Sequence, residues 1–136
     1  MKGVSAIIAT ILLLMITIGL AGTAYVYISG MMTGKMAKAI SVLDANCKGG
    51  NMTIVISNDG QEAILNTATG GDLKILVDNN DKSNKFNEST AASNAYTINP
   101  RGVAILIDVS SNYATGVSHT VLLVSPSNSI TQRIWC

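Results

Sequence analysis

The N-terminal quarter of the chain has a different pattern of apolar and polar residues from the remainder. No charged residue occurs between Lys2 and Lys35, and the apolar positions there are nearly continuous rather than alternating. The run is longer than the ~20 residues that an α-helix needs to cross a bilayer. At 1.5 Å per residue it would make a rod of about 45–50 Å. The pattern therefore predicts a long hydrophobic helix at the N-terminus.

The helical period continues beyond this uncharged run. Met36, Ala39, Ile40 and Leu43 follow one another at the spacing i, i+3, i+4 and i+7, and polar residues occupy the other helix faces. We therefore expect one continuous helix over residues 4–45, which becomes amphipathic in its last part and packs there on the following domain. Turn-forming residues then end the helix.

Residues 46–136 show the alternation of short β-strands, interrupted by turn signals such as Asn58-Asp59-Gly60 and Ser125-Pro126-Ser127-Asn128. About seven strands at this spacing predict a small immunoglobulin-like antiparallel β-sandwich, so the expected fold class is α+β. The polar stretch 78–93 is expected to be a mobile surface loop. The predicted strands are 52–57, 62–66, 73–77, 95–98, 103–109, 118–124 and 130–136.

Alternation within these strands also predicts which side chains face the core. The inward set is Ile54, Ile56, Leu73, Ile75, Val77, Val103, Ile105, Ile107, Val121 and Leu123. The set expected on the opposite faces is Leu76, Ala104, Leu106 and Leu122.

The charged and metal-binding residue types give little support for catalysis or for a cofactor. The net charge is +1 with 12% charged residues, so nothing suggests a nucleic-acid partner. His119 is the only histidine, and no catalytic grouping can be built around it, so we expect no enzymatic activity. The run 78–81 (Asp-Asn-Asn-Asp) lacks the Gly and the closing Glu of a calcium loop, and an Asx-rich turn is favoured. Cys47 and Cys136 lack the paired spacing of a zinc site.

The first residues, MKGVSAIIATILLLMITIGLAGTAYVYISGM, resemble the N-terminus of archaeal type IV pilin-like proteins, which carry class III signal peptides. The resemblance implies a leader over residues 1–3 that ends in Lys2-Gly3 and is cut by a dedicated peptidase, so that Val4 begins the mature chain. It also implies a filament helix over 4–45 and a head over 46–136. Ile8 stands where bacterial pilins usually have Glu, which favours the archaeal branch.

The same resemblance implies that the helix packs with those of identical subunits in the core of a helical filament. The chain would be stored in the cell membrane and assembled by pilus machinery into an extracellular filament for adhesion. An archaellin of a swimming filament is one alternative, and a monomeric membrane-anchored binding module is another. The residues implied for the filament core are Ile7, Ile8, Ile11, Leu12, Leu14, Met15, Ile18, Gly19 and Gly22.

The two cysteines together with the membrane segment predict an oxidising compartment outside the cell. We expect a disulfide between Cys47 and Cys136, because an exposed free thiol would be reactive on an extracellular surface. Two unpaired thiols are the alternative. Asn51 and Asn87 each begin an Asn-X-Ser/Thr triplet and are predicted N-glycosylation sites.

Overall fold

The computed structural model describes residues 2–91, 93–108 and 113–136. These residues form one helix followed by antiparallel β-sheets, an α+β fold, and the chain divides into two compact units between Gly34 and Lys35. The elements are α1 (Lys2–Lys35), β1 (Ile40–Lys48), β2 (Asn51–Asn58), β3 (Ile64–Thr67), β4 (Gly70–Gly71), β5 (Lys74–Val77), β6 (Asn80–Asp81), β7 (Phe86–Glu88), β8 (Tyr96–Ile98), β9 (Val103–Asp108), β10 (Ser118–Val124) and β11 (Ser129–Trp135).

The helix is shorter than the sequence predicts. It ends at Lys35, and the prediction of a continuous helix over 4–45 is wrong beyond that residue, because β1 occupies the last part of the range. Two of the four apolar residues that suggested an amphipathic helix, Met36 and Leu43, are exposed rather than packed on a core. Except at Leu43, the residues of β1 pair with β2, and this pairing supplies the backbone of the segment with hydrogen-bond partners.

The head contains two four-stranded antiparallel sheets that share one core. Their strand orders are β1-β2-β9-β7 and β11-β10-β5-β6, and a third, small sheet has the order β4-β3-β8. The first two orders match the A-B-E-D and G-F-C arrangement of an immunoglobulin-type sandwich, with β6 as an additional edge strand. Each of the seven predicted strands overlaps an observed one, and Val109 lies outside the described residues.

The core is built from apolar side chains of all three sheets. Its buried members are Ile40, Met52, Ile54, Ile56, Ile64, Leu73, Ile75, Val77, Phe86, Tyr96, Ile98, Ala104, Leu106, Val121, Leu123 and Ile134.

Strand β9 faces the opposite way from the predicted orientation. Ala104 and Leu106 are buried, whereas Val103 and Ile105 are exposed and Ile107 is half-buried. Hydrophobicity alone favoured the Val/Ile face, but β9 pairs with β2 so that Leu106 lies opposite the buried Ile54. Because side chains alternate along a strand, a shift of one residue exchanges its two faces.

The stretch 78–93 is not a long loop over its described residues. It contains the short strands β6 and β7, and Phe86 at the start of β7 is completely buried. Phe86 is the only phenylalanine of the chain, and its burial attaches this segment to the core. Ala92 lies outside the described residues.

Candidate assembly helix, head junction and surface cleft

Helix α1 presents apolar side chains on all sides. Each large apolar side chain from Val4 to Met32 is at least 45% exposed in the single chain, and Tyr25 reaches 75%. The stretch Gly3–Met32 is long and apolar enough to cross a membrane. A helix that is apolar all round must be covered by lipid or by other protein. The helix therefore fits membrane anchoring or secretion.

Three threonine hydroxyls of α1 are satisfied inside the helix. The hydroxyls of Thr10, Thr17 and Thr23 donate to backbone carbonyls three residues earlier, at 2.8–3.0 Å. Such bonds let a hydroxyl lie in an apolar environment without an unpaired donor. A Cβ at Gly19 or Gly22 would meet nothing within 4 Å, so these positions leave open notches on the helix surface.

The residues predicted to form a filament core all lie on α1 and all belong to this apolar surface. Gly3 and Val4, the predicted cleavage point, lie at its N-terminal end, and Val4 is 64% exposed. The predicted core side chains Ile7, Ile8, Ile11, Leu12, Leu14, Met15 and Ile18 are 52–67% exposed. Whether they pack against other copies of the chain stays a prediction.

The segment that follows α1 is tied into the head by backbone hydrogen bonds. The amides of Asp59 and Gly60 donate to the Ala39 carbonyl, and the Glu62 amide donates to the Ala37 carbonyl at 2.8 Å. Gly60 is required at this contact, because a Cβ there would lie 2.5 Å from the Ala37 oxygen. Residues 36–39 are thus held as part of the head.

Three side chains, Lys38, Asp72 and Asn128, reinforce the same junction. The Lys38 ammonium donates to Asp72 Oδ2 at 2.8 Å, and the Leu65 amide donates to the same oxygen at 3.0 Å. The hydrogen bond from Lys38, followed by the one from Leu65, lowers the pKa of Asp72 below its usual value. Asn128 binds the backbone of Ile40 twice, accepting from its amide at 2.9 Å and donating to its carbonyl at 2.8 Å.

The predicted disulfide between Cys47 and Cys136 is confirmed. Their Cα atoms are 4.8 Å apart, and the bond joins residues 89 positions apart in the chain. It connects the end of β1 to the residue that follows β11, and so links an edge strand of one large sheet to an edge strand of the other. Such a bond fits a protein exposed to an oxidising environment.

A β-bulge in β1 gives Cys47 its inward direction. Val42 pairs with Ile56 and Asp44 with Val55, so Leu43 is an extra residue without a partner on β2. Before the bulge the even-numbered residues of β1 face the core, and after it the odd-numbered ones do. Cys47 therefore lies opposite the buried Met52.

His119 contacts Asp78 and Tyr113. Its Nδ1 lies 2.6 Å from Asp78 Oδ2, and the Thr120 amide donates to Asp78 Oδ1 at 2.8 Å. The hydrogen bond from His119 and that from Thr120 lower the pKa of Asp78. The ring also packs edge-on against Tyr113, with centroids 5.0 Å apart. Asp78 begins the β5–β6 turn, where it and Asn79 both have positive φ.

The run 78–81 is occupied by turn contacts. Asp81 Oδ1 accepts hydrogen bonds from the amide and the hydroxyl of Ser83. Within residues 2–91, 93–108 and 113–136, no three His, Cys, Asp or Glu side chains lie close enough to hold a metal ion.

The two predicted glycosylation sites differ in exposure. Asn51 is exposed at the start of β2, whereas Asn87 is half-buried on β7 opposite Ile107. A glycan at either position stays a prediction.

A polar cleft opens between the β3–β4 hairpin and the residues around β6. Its volume is about 470 Å³, and its walls include Asn66, Thr69, Lys74, Asp81, Ser83 and Asn84. No pattern in the sequence indicates this cleft, because its residues come from two hairpins whose juxtaposition depends on the sheets. The contribution of Lys38, Asp72 and Asn128 to the junction was missed for the same reason.

A search against models of known protein families finds no match, and neither does a search against curated proteins. The architecture of one long apolar helix followed by a β-sheet head is consistent with a pilin-like protein.

Proposed function

We propose that this chain is a pilin-like structural subunit of an extracellular helical filament that serves in attachment. Its N-terminal helix would pack with those of identical copies to form the filament core. The main support is the apolar surface of α1, which is continuous from Gly3 to Met32 and exposed throughout in the single chain.

The length of this surface favours helix packing over simple anchoring. Its 30 residues make a rod of about 45 Å at 1.5 Å per residue, against a hydrocarbon thickness of about 30 Å. Fitting that length inside the hydrocarbon by tilt alone needs an angle of about 48°, which is above the ~40° upper limit seen for membrane helices. In an assembled filament, neighbouring helices would cover the part of the apolar helix that is too long for the hydrocarbon layer.

The composition of the helix suits such packing. Small residues allow helix backbones to approach closely where no hydrophobic force acts between them, and Gly19 and Gly22 leave room for a neighbour. The helix between Lys2 and Lys35 carries no charge that a dry core would leave unpaired. The disulfide in the head supports a location outside the cell.

Cleavage after Gly3 by a leader peptidase would precede assembly, and the chain would be stored in the membrane until then. The intact mass of the chain in isolated filaments tests this step. A chain that begins at Val4 supports processing, whereas a chain that begins at Ala24 or later contradicts the whole proposal, because most of α1 would be absent.

Polymerisation is tested by a charge in the proposed core. Leu14→Asp should abolish filaments in electron micrographs, because an unpaired buried charge costs several kcal/mol. Leu14→Met, a volume-conserving apolar change, should leave filament yield unchanged. Both variants should still fractionate with membranes, since the apolar stretch remains long enough to insert. Normal filaments from Leu14→Asp would contradict a helix-bundle core.

Two alternative functions give different phenotypes. An archaellin would also form filaments, but its deletion would abolish swimming rather than attachment. A monomeric membrane-anchored binding module would remain in the membrane and form no filament. Filament imaging of cells that express the chain, combined with swimming and attachment assays of the deletion strain, separates the three.

A further inference from the structure

We propose that the polar cleft between the β3–β4 hairpin and the residues around β6 binds a neutral sugar residue. The proposal concerns the head alone and does not depend on whether the chain forms filaments. It rests on an amide oxygen in the cleft lining that no described residue binds, and on the mixture of donors and acceptors in the walls.

Asn66 forms part of the cleft lining and is only 5% exposed. Its Nδ2 donates to the Asn94 carbonyl at 3.1 Å, but its Oδ1 accepts no hydrogen bond from the residues that the structure describes. Glycine at position 71 leaves room for this oxygen, because a Cβ there would overlap it. This oxygen can therefore accept a hydrogen bond from a ligand hydroxyl.

The wall around β6 supplies a fixed carboxylate. Asp81 Oδ1 accepts from the Ser83 amide at 2.9 Å and from its hydroxyl at 2.6 Å. These two bonds set the orientation of the carboxylate and lower its pKa, so Asp81 is ionised at neutral pH. Oδ2 makes no hydrogen bond with the described part of the chain and can accept one from a ligand.

Donors complete the lining. The Lys74 ammonium and the Asn84 side-chain amide both belong to the cleft, and neither forms a side-chain hydrogen bond or a close ion pair within the described ranges, although the charge of Lys74 helps to lower the pKa of Asp81. The cleft therefore offers hydrogen-bond acceptors and donors together. A hydroxyl group both donates and accepts, so a ring with several adjacent hydroxyls matches this arrangement better than a ligand of one polarity.

Other ligand classes fit less well. The opposite charges of Lys74 and Asp81 favour neither an anion nor a cation, and the hydroxyl, amide and charged side chains in the walls favour a ligand that forms hydrogen bonds over a wholly apolar one. No group of three metal-binding side chains occurs among the described residues. The cleft volume of about 470 Å³ lies within the range of about 300–1,000 Å³ of small-molecule sites, which is enough for a sugar residue.

The test is an NMR titration of the full chain in micelles of a polyoxyethylene detergent, which carries no sugar head group. The probes are methyl α-glucoside, methyl α-mannoside and methyl α-galactoside. We expect one of them to cause saturable shifts at the amides of Gly70, Gly71 and Asn84. A ligand of about a dozen heavy atoms held by hydrogen bonds should bind with a Kd of roughly 1 mM.

Two variants and a control locate the site. Asn84→Ala and Asp81→Ala should each weaken binding by about fivefold, the effect of losing one hydrogen bond. Asn99→Ala, which changes an exposed asparagine in a turn outside the cleft, should leave the Kd unchanged. Absence of saturable shifts for all three glycosides up to about 20 mM, shifts confined to other residues, or an unchanged Kd in both cleft variants would overturn the proposal.

Discussion

Removing the disulfide should destabilise the head strongly. The bond joins Cys47 to Cys136 across 89 positions of the chain. A cross-link that closes a loop of about 90 residues lowers the entropy of the unfolded chain by about 15.5 cal/mol/K in the chain-entropy relation. At 25 °C this raises the free energy of unfolding by about 4.6 kcal/mol. A domain of this size is typically stable by about 5–15 kcal/mol. The single bond would then supply about 30% or more of the stability.

The assay is urea unfolding of the full chain in detergent micelles, followed by the fluorescence of Trp135, the only tryptophan. The oxidised wild type is compared with the reduced wild type and with the Cys47→Ala/Cys136→Ala double variant. Both altered forms should lose about 4.6 kcal/mol of unfolding free energy. The corresponding fall in Tm is about 20–35 °C.

The reduced wild type is the control that keeps both cysteine side chains. If only the double variant were destabilised, the loss would come from side-chain packing and not from the bond. A loss below about 1 kcal/mol in both forms would refute the argument from chain entropy. It would show that the unfolded chain gains little freedom when the two edge strands are disconnected.

Three further changes test the bulge and the junction. Deleting Leu43 should remove the bulge and prevent the disulfide, detected as two alkylated cysteines per chain by mass spectrometry, whereas Leu43→Ala should keep the bond. Gly60→Ala should cost about 1–3 kcal/mol in urea unfolding, because the new Cβ would lie 2.5 Å from the Ala37 oxygen. The pKa of Asp72 is lowered by Lys38, so this contribution to stability is present above the unfolded-state pKa of about 3.9 and is lost as pH falls through the folded-state pKa. The stability difference between wild type and Asp72→Asn should therefore shrink on acidification from neutral pH, and a constant difference would contradict the ion pair.

The sequence predicts the elements of this fold better than it predicts their faces. The long apolar helix and seven of the strands follow from residue periodicity, which is a local property. Periodicity does not predict which face of β9 is buried, because both faces of this strand carry apolar side chains. The buried Asp108 helps to explain the observed orientation, since the Tyr113 hydroxyl donates to its carboxylate at 2.7 Å. Hydrophobicity alone would place Asp108 on the outer face of β9. The hydrogen bond from Tyr113, five residues later in the chain, stabilises its carboxylate on the inner face.

The cleft and the junction could not be predicted for a related reason. Asn66 and Asp81 belong to different hairpins, and the pairing of Lys38 with Asp72 spans 34 residues. Turn signals locate each hairpin along the chain, but they do not say which hairpins meet. That information lies in the packing of the sheets, which depends on long-range contacts.

The disulfide was predicted correctly although the surrounding structure was not. The sequence placed Cys47 at the end of a helix, whereas it lies near the end of β1. In an unbroken strand that began with Ile40 inward, Asp44, Asn46 and Lys48 would face the core and Cys47 would face solvent. The extra residue Leu43 shifts the alternation by one and turns the polar residues outward. The bulge is thus the feature that lets one strand start with an apolar core residue and end with a cysteine directed at its partner.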